Sequence, residues 1–126
     1  EQCWVGGYSF GAWIGLQLLM RRPEIDGFVA VSPPANHYDL SFLAPCPASG
    51  VIIYGTRDSV TTSQDMERVI SRIRTQKNIK VDHTPIEGAD HFFNDKSGRN
   101  QDMLAELEKH TVAYLEKRLA PGAPKR

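Results

Sequence analysis

The chain is poor in cysteine, carries no excess of either charge and has no apolar run long enough to cross a bilayer. Its 126 residues include 2 cysteines, too few for a disulfide framework and without the paired spacing of a metal site. Cys3 and Cys46 instead fit a reducing, cytoplasmic compartment. Lys plus Arg and Asp plus Glu each number 15, so the formal net charge is zero. That balance disfavours nucleic acid or a membrane surface as the main partner. The best apolar stretch, 12–20, is broken by Gly15 and Gln17 and falls short of the roughly 18 residues of a spanning helix. No signal peptide, repeat or low-complexity segment is recognisable. The chain also lacks an initiating Met, and Cys3-Trp4-Val5 runs directly into a glycine pair. Residues preceding Glu1 are therefore expected.

What is present suits one globular domain: 40% hydrophobic and 24% charged residues in a length that buries roughly 65–70% of its unfolded surface. Cys3-Trp4-Val5 reads as the end of a buried strand. From Phe10 to Arg22, apolar residues at spacings of three and four predict a helix, and Ile14 and Leu18 on a second face predict that it is buried nearly all round. Pro23 stops it. Phe28-Val29-Ala30-Val31 and Val51-Ile52-Ile53-Tyr54 are continuous apolar runs of strand length. Residues 35–49, with Pro45 and Pro47, read as a loop with room for one helical turn. Thr61, Thr62 and Ser63 offer caps for a helix to about Arg74 with Met66, Val69, Ile70 and Ile73 on one stripe. Residues 79–86 read as a strand and 88–99 as a polar loop. A last helix spans about 101–119 with Leu104, Leu107, Thr111 and Leu115 facing inward. Continuous apolar strands alternating with helices predict an α/β fold, a mostly parallel sheet with helices on both faces. Residues 1–120 form the folded part and 121–126 a flexible tail.

The strongest chemical signal is Gly7-Tyr8-Ser9-Phe10-Gly11 between a predicted strand and a predicted helix. A nucleophilic Ser on so sharp a turn needs a strained backbone and tiny neighbours two residues away on each side, which Gly7 and Gly11 supply. The turn lifts the Ser9 hydroxyl above the sheet at a helix N-terminus, where developing negative charge is favoured. The backbone N–H of Phe10 becomes an oxyanion donor. A plain glycine turn or a phosphate loop is the competing reading. No GxxxxGK[ST] or GxGxxG follows the strand, which weakens the second.

A Ser nucleophile needs a base and the base an orienting acid. His91, in a loop just past the last strand, is the best-placed histidine. His37 lies in the loop after the second strand, His83 in a strand and His110 in a helix. Asp58 follows the strand before the last, at the sheet edge where ligands gather in open α/β folds. Asp90 is its rival but adjoins His91 in sequence. Asp65 falls on a helix.

In these segments the chain resembles the C-terminal half of an α/β-hydrolase. Gly7–Gly11 matches the nucleophile elbow, Gly55-Thr56-Arg57-Asp58 resembles the acid turn, and Gly88-Ala89-Asp90-His91-Phe92-Phe93 resembles the histidine loop. The chain is most similar to small, lidless serine hydrolases of the dienelactone hydrolase and bacterial esterase group. The resemblance implies an eight-stranded sheet of which this chain supplies the last four strands. It also implies a missing N-terminal half, or a partner chain, that completes the sheet and brings the second oxyanion donor. Dienelactone hydrolases proper use Cys where Ser9 stands here. Between Pro33 and Ser49 there is room for a short loop and no lid domain. Its His37, Tyr38, Leu40, Phe42 and Leu43, with Tyr8, could either line an open acyl pocket or cover the sheet.

The expected activity is cleavage of a small, soluble ester through an acyl-enzyme, with Ser9, His91 and Asp58 as nucleophile, base and orienting acid, and with no metal or organic cofactor. A serine peptidase or amidase would use the same residues. A non-catalytic binding module is the alternative from another class. A metal hydrolase built on His83, Asp90 and His91 matches no ligand spacing template.

Overall fold

The computed structural model describes residues 1–76 and 78–123. Of the expected tail 121–126, residues 124–126 lie outside the described residues. Strands β1 (Trp4–Tyr8), β2 (Gly27–Val31), β3 (Gly50–Gly55) and β4 (Val81–Ile86) form one parallel sheet in the order β1-β2-β3-β4. Helices α1 (Phe10–Arg21), α2 (Ser63–Arg72) and α3 (Gln101–Leu119) flank it, and a single 3-10 turn covers Ser41–Leu43.

The side-chain alternation of β2 and β3 divides the core in two. Phe28, Ala30, Ile52 and Tyr54 meet Ala12, Leu16 and Leu19 of α1 and Met66 of α2 on one face. Val51 and Ile53 meet Tyr114 of α3 and Phe93 on the other, with Val29 and Val31 packed beside them. All six residues of β3 are buried, which is why its sequence is continuously apolar rather than alternating. Each large apolar side chain removed from water here contributes about 1.5–3 kcal/mol. Two glycines make room for aromatics across the register. Trp4 pairs with Gly27 and Phe28 with Gly50, and each ring lies where the glycine's Cβ would be.

Local chemistry sets the element ends. Thr62 caps α2, its Oγ1 accepting from Asp65 N at 3.1 Å, as expected for a capping threonine. Arg22 N closes α1 on Leu18 O at 3.0 Å, and Pro23, with no N–H, cannot extend it. The 32–49 connection turns several of its apolar residues inward. Leu40 and Leu43 are fully buried against the α1 face and Phe42 packs beside them.

Two expectations need correction. Helix α1 is not buried all round, because Ile14, Leu18 and Met20 stand in solvent at 46%, 42% and 37% exposure. Nor is Leu104 of α3 buried; it is 43% exposed, and the residues that anchor α3 are Tyr114 and Arg118. Leu104 and Leu107 instead line an open apolar cleft of about 730 Å³ beside β1, together with Trp4, Tyr8, Val29 and Val31. Periodicity identifies apolar faces correctly. It does not say whether the chain itself supplies the layer that covers them. Among the described residues no helix is long and apolar enough to cross a membrane.

Arg118 ties α3 to the N-terminal edge of the sheet. Its guanidinium donates to Ser49 O at 3.0 Å, to Asp26 O at 2.9 Å and to Tyr114 Oη at 2.8 Å. It also stacks over the Trp4 ring at 4.6 Å. Arg118→Met keeps the apolar stem and strips buried carbonyls of their donor, so stability is expected to fall by about 1–3 kcal/mol, read as a lower urea midpoint. Burial also lifts the Tyr54 and Tyr114 phenols above their usual 10.0. The fold favours the neutral form, so this stability is complete below pH 10 and is lost as pH rises through the folded values. Urea midpoints taken from pH 8 upward are expected to hold steady and then drop above about pH 10.

Candidate active site

Three loops meet at the C-terminal edge of the parallel sheet. The first is the β1–α1 junction. Ser9 has φ 56° and ψ −121°, a conformation that costs a non-glycine residue about 1–3 kcal/mol. It is held there from several sides. Ser9 N donates to Val31 O at 2.8 Å, and Ser9 O accepts from Ala12 N at 2.9 Å and Trp13 N at 3.3 Å. The hydroxyl makes no cap bond to the helix and is left for other work. Gly7 lies in backbone contact with Gly11, whose carbonyl occupies the place of a Gly7 Cβ. Gly11 itself faces open space. The expectation that both glycines are sterically required therefore needs correction: within this chain the crowding falls on Gly7 alone, the strand side of the turn. The N–H groups of Phe10 and Gly11 head α1, where a helix has no internal acceptors for them.

The second loop follows β4. Asp90 shapes it, its Oδ1 accepting from Phe92 N at 2.9 Å and Asn94 N at 2.8 Å. Phe93 turns back with φ 60° and is buried. Between them the His91 ring points inward and is 6% exposed. Asp90 is thus a turn-former and not the partner of the ring.

The third loop follows β3. Asp58 is 3% exposed and divides its carboxylate. Oδ1 accepts from Val60 N and Thr61 N, each at 2.8 Å, while Oδ2 lies 2.8 Å from His91 Nδ1. On its other side the His91 ring places Nε2 2.8 Å from Ser9 Oγ. With a neutral imidazole and an acceptor carboxylate, this geometry has Nδ1–H donating to Asp58 and Nε2 accepting from the Ser9 hydroxyl. The structure therefore joins Ser9, His91 and Asp58 in one hydrogen-bonded line with a buried carboxyl group at its far end.

The acid turn and the histidine loop are also clamped to each other. Arg57 N donates to Ala89 O and Gly88 N to Thr56 Oγ1, both at 2.8 Å. The Ala89 carbonyl sits where a Gly55 Cβ would be, so Gly55 is what lets the two loops touch. Thr61 Oγ1 adds a bond to Pro33 O at 2.9 Å, fixing the acid turn to the end of β2. Gly55, Thr56 and Thr61 carry no sequence signal of these tasks, which exist only once the two loops are side by side.

The residues read as pocket candidates scatter. Phe42 packs on the core, as described. His37 is exposed. Tyr38 joins Phe10 and Trp13 in an aromatic cluster beside Ser9, with ring centroids 4.8–5.8 Å apart. Trp13 Nε1 donates to Asp39 O at 3.1 Å, pinning this loop to α1. Tyr8 Oη donates to the carbonyl of His91. Burial, then the Asp58 and Asp90 carboxylates, hold its phenol above the usual range. His83 is exposed on β4, and His110 sits on α3 within 3.5 Å of Glu106. Neither approaches the site. Among the described residues no three His, Cys, Asp or Glu side chains are grouped to hold a metal ion, so His83, Asp90 and His91 are not brought together. The Ser32 hydroxyl, buried at the end of β2 beside the elbow, has no hydrogen-bond partner among the described residues.

A parallel α/β sheet with a strained serine elbow and a His–Asp pair over its C-terminal edge defines the class. The particular fold is that of the α/β-hydrolases, and this chain forms part of such a domain. It is 48% identical to a protein of unknown function from Agrobacterium tumefaciens, provisionally an α/β-hydrolase, with a TM-score of 0.78 over 96% of this chain and 54% of that one. An α/β serine hydrolase homologue from Coxiella burnetii shares the fold at 23% identity and a TM-score of 0.75, over 91% of this chain and 50% of its own. An uncharacterized protein of Rickettsia prowazekii is 52% identical over 95 residues, which is 72% of this chain and 40% of the relative. The chain thus spans about half the length of these two solved structures and 40% of the Rickettsia relative. No family model matches it.

The two glycines of the elbow are expected to respond oppositely. Gly7→Ala drives a methyl group into the Gly11 backbone and is expected to cost about 1–3 kcal/mol. Gly11→Ala adds a methyl in open space on a helix and is expected to stabilise this chain by about 0.5–1 kcal/mol. Thermal unfolding of the two variants side by side checks the contrast.

Proposed function

We propose that the protein carrying this chain is a serine hydrolase that cleaves small carboxylic esters through an acyl-enzyme. One observation carries the reading: Ser9, on a strained elbow, hydrogen-bonds His91, which hydrogen-bonds the buried Asp58. In the proposed reaction Ser9 Oγ attacks the ester carbonyl carbon as its proton passes to His91 Nε2. Asp58 stabilises the imidazolium and holds its tautomer. The oxyanion forms at the N-terminus of α1, where Phe10 N–H donates to it. The C–O bond then breaks, the alcohol leaves with the proton from Nε2, and the acyl group remains on Ser9. Water, activated by the same nitrogen, releases the acid. The scheme uses no metal ion or organic cofactor.

A small ester is favoured by the short 32–49 connection, whose Leu40, Phe42 and Leu43 pack on the core while Tyr38 lies against Phe10 and Trp13 beside Ser9. An amide would follow the same course with a poorer leaving group. The rest of the domain is part of the proposal. Strand β1 is paired on one side, with β2, and the apolar cleft beside it offers a seat for further strands and a helix. That half is assigned the second oxyanion donor and the cover for Ile14, Leu18 and Leu104. Both cysteines are free thiols, in keeping with a cytoplasmic setting. Nucleic acid and membranes have no place in the scheme.

The test is the intact mass of the full-length protein after exposure to a fluorophosphonate. A single adduct is expected, absent from Ser9→Ala. Turnover of a nitrophenyl acetate is expected to exceed that of the matching anilide. An unlabelled full-length protein sinks the reading, and a faster anilide turns it toward amides.

A further inference from the structure

Tyr8 stands between Gly7 and Ser9 and reaches across the sheet edge to the histidine loop. Its Oη donates to the main-chain carbonyl of His91 at 2.7 Å. Its ring lies 5.7 Å from the imidazole with the planes 33° apart. One residue therefore touches both reacting groups. Its main chain carries Ser9, and its side chain holds the backbone of His91.

Resting on the serine-hydrolase reading above, we propose that Tyr8 is a positioning residue whose phenol sets the reach of His91 Nε2 to Ser9 Oγ. The bonds that clamp the histidine loop fall on Gly88, Ala89, Asp90, Phe92 and Asn94. They fix the loop on either side of His91. At His91 itself the main chain is held by Tyr8. The ring is held at its two nitrogens, by Asp58 and by Ser9. The Ser9 contact must break and re-form in each turnover, whereas the Tyr8 contact takes no part in proton transfer and can persist. Because it starts from the residue next to the nucleophile, any shift of the elbow carries the base with it. The hydroxyl makes this bond while the ring lines the cleft beside β1, so the positioning role belongs to the hydroxyl. Burial and two nearby carboxylates keep the phenol protonated and hence a donor.

The experiment compares full-length wild type with Tyr8→Phe, which keeps the ring and removes the donor. The expected result is a kcat about tenfold lower, a KM within about twofold, and fluorophosphonate labelling that still goes to completion but about tenfold more slowly. Complete labelling shows that every molecule retains a folded site, which a merely structural lesion would not allow. An unchanged kcat overturns the proposal. So does a raised KM at unchanged kcat, which would make Tyr8 a substrate contact. If Tyr8→Phe does not fold, a ring-difluorinated tyrosine at position 8 serves instead, since it keeps the shape and ionises at lower pH. Its kcat is expected to fall on the alkaline side at a lower pH than wild type, and coincident pH profiles overturn the proposal. A wild type that never labels at Ser9 overturns the hydrolase reading itself and Tyr8's role with it. Normal wild-type labelling with an unaffected variant defeats the role alone.

Discussion

The close approach of Gly7 to the Gly11 backbone governs the site. A side chain at position 7 would occupy the space of the Gly11 carbonyl, so only a bare backbone lets β1 turn straight into α1. That turn forces Ser9 to a positive φ and frees its hydroxyl from helix capping. The strain is sustained because the surrounding bonds are numerous, among them Ser9 N to Val31 O and two helix N–H groups to Ser9 O. Once Ser9 is fixed, the positions of the other two loops follow from strand order. Parallel neighbours all deliver their C-terminal ends to the same edge, so β3 brings Asp58 and β4 brings His91 to the place where β1 leaves Ser9.

The two ends of the sheet do different work. At the C-terminal edge, polar groups are arranged around a serine. At the N-terminal edge, a single buried arginine gathers the carbonyls preceding β2 and β3 and the aromatic rings of Trp4 and Tyr114. Between them the faces of β3 are sealed by the flanking helices and loops, while an apolar cleft runs along β1 and reaches Val29 and Val31 of β2. Coverage is thus uneven across the sheet. It is densest over β3, all of whose residues are buried, and thins toward β1, which lies next to the cleft.

Much of this was legible in the sequence because it depends on local rules. Apolar runs of strand length, a Pro after α1, a Thr at the start of α2 and GxSxG between strand and helix each have a short-range cause. The order Ser9, Asp58, His91 could be read because each residue lies just past a strand end. Other features depend on contacts distant in sequence. Gly55 looks like an ordinary strand terminator until the Ala89 carbonyl is placed against it. Thr61 looks like a helix cap, yet its hydroxyl serves Pro33. Arg118 looks like a solvated end-of-helix charge and is buried. The misjudged burial of Ile14, Leu18 and Leu104 has a different origin: their apolar spacing is real, and among the described residues no layer covers them.

The divided carboxylate of Asp58 has a consequence for how the site tolerates isosteres. Oδ1 is fixed as a double acceptor by Val60 N and Thr61 N. An amide in its place would have to turn its oxygen that way, because two N–H groups cannot face an NH2. The NH2 would then meet His91 Nδ1, which could stay bonded only as an acceptor. The ring proton would move to Nε2, and Ser9 would face a donor where it needs an acceptor. Backbone donors of a tight turn thus select the tautomer of a histidine two loops away, through an oxygen that never touches it.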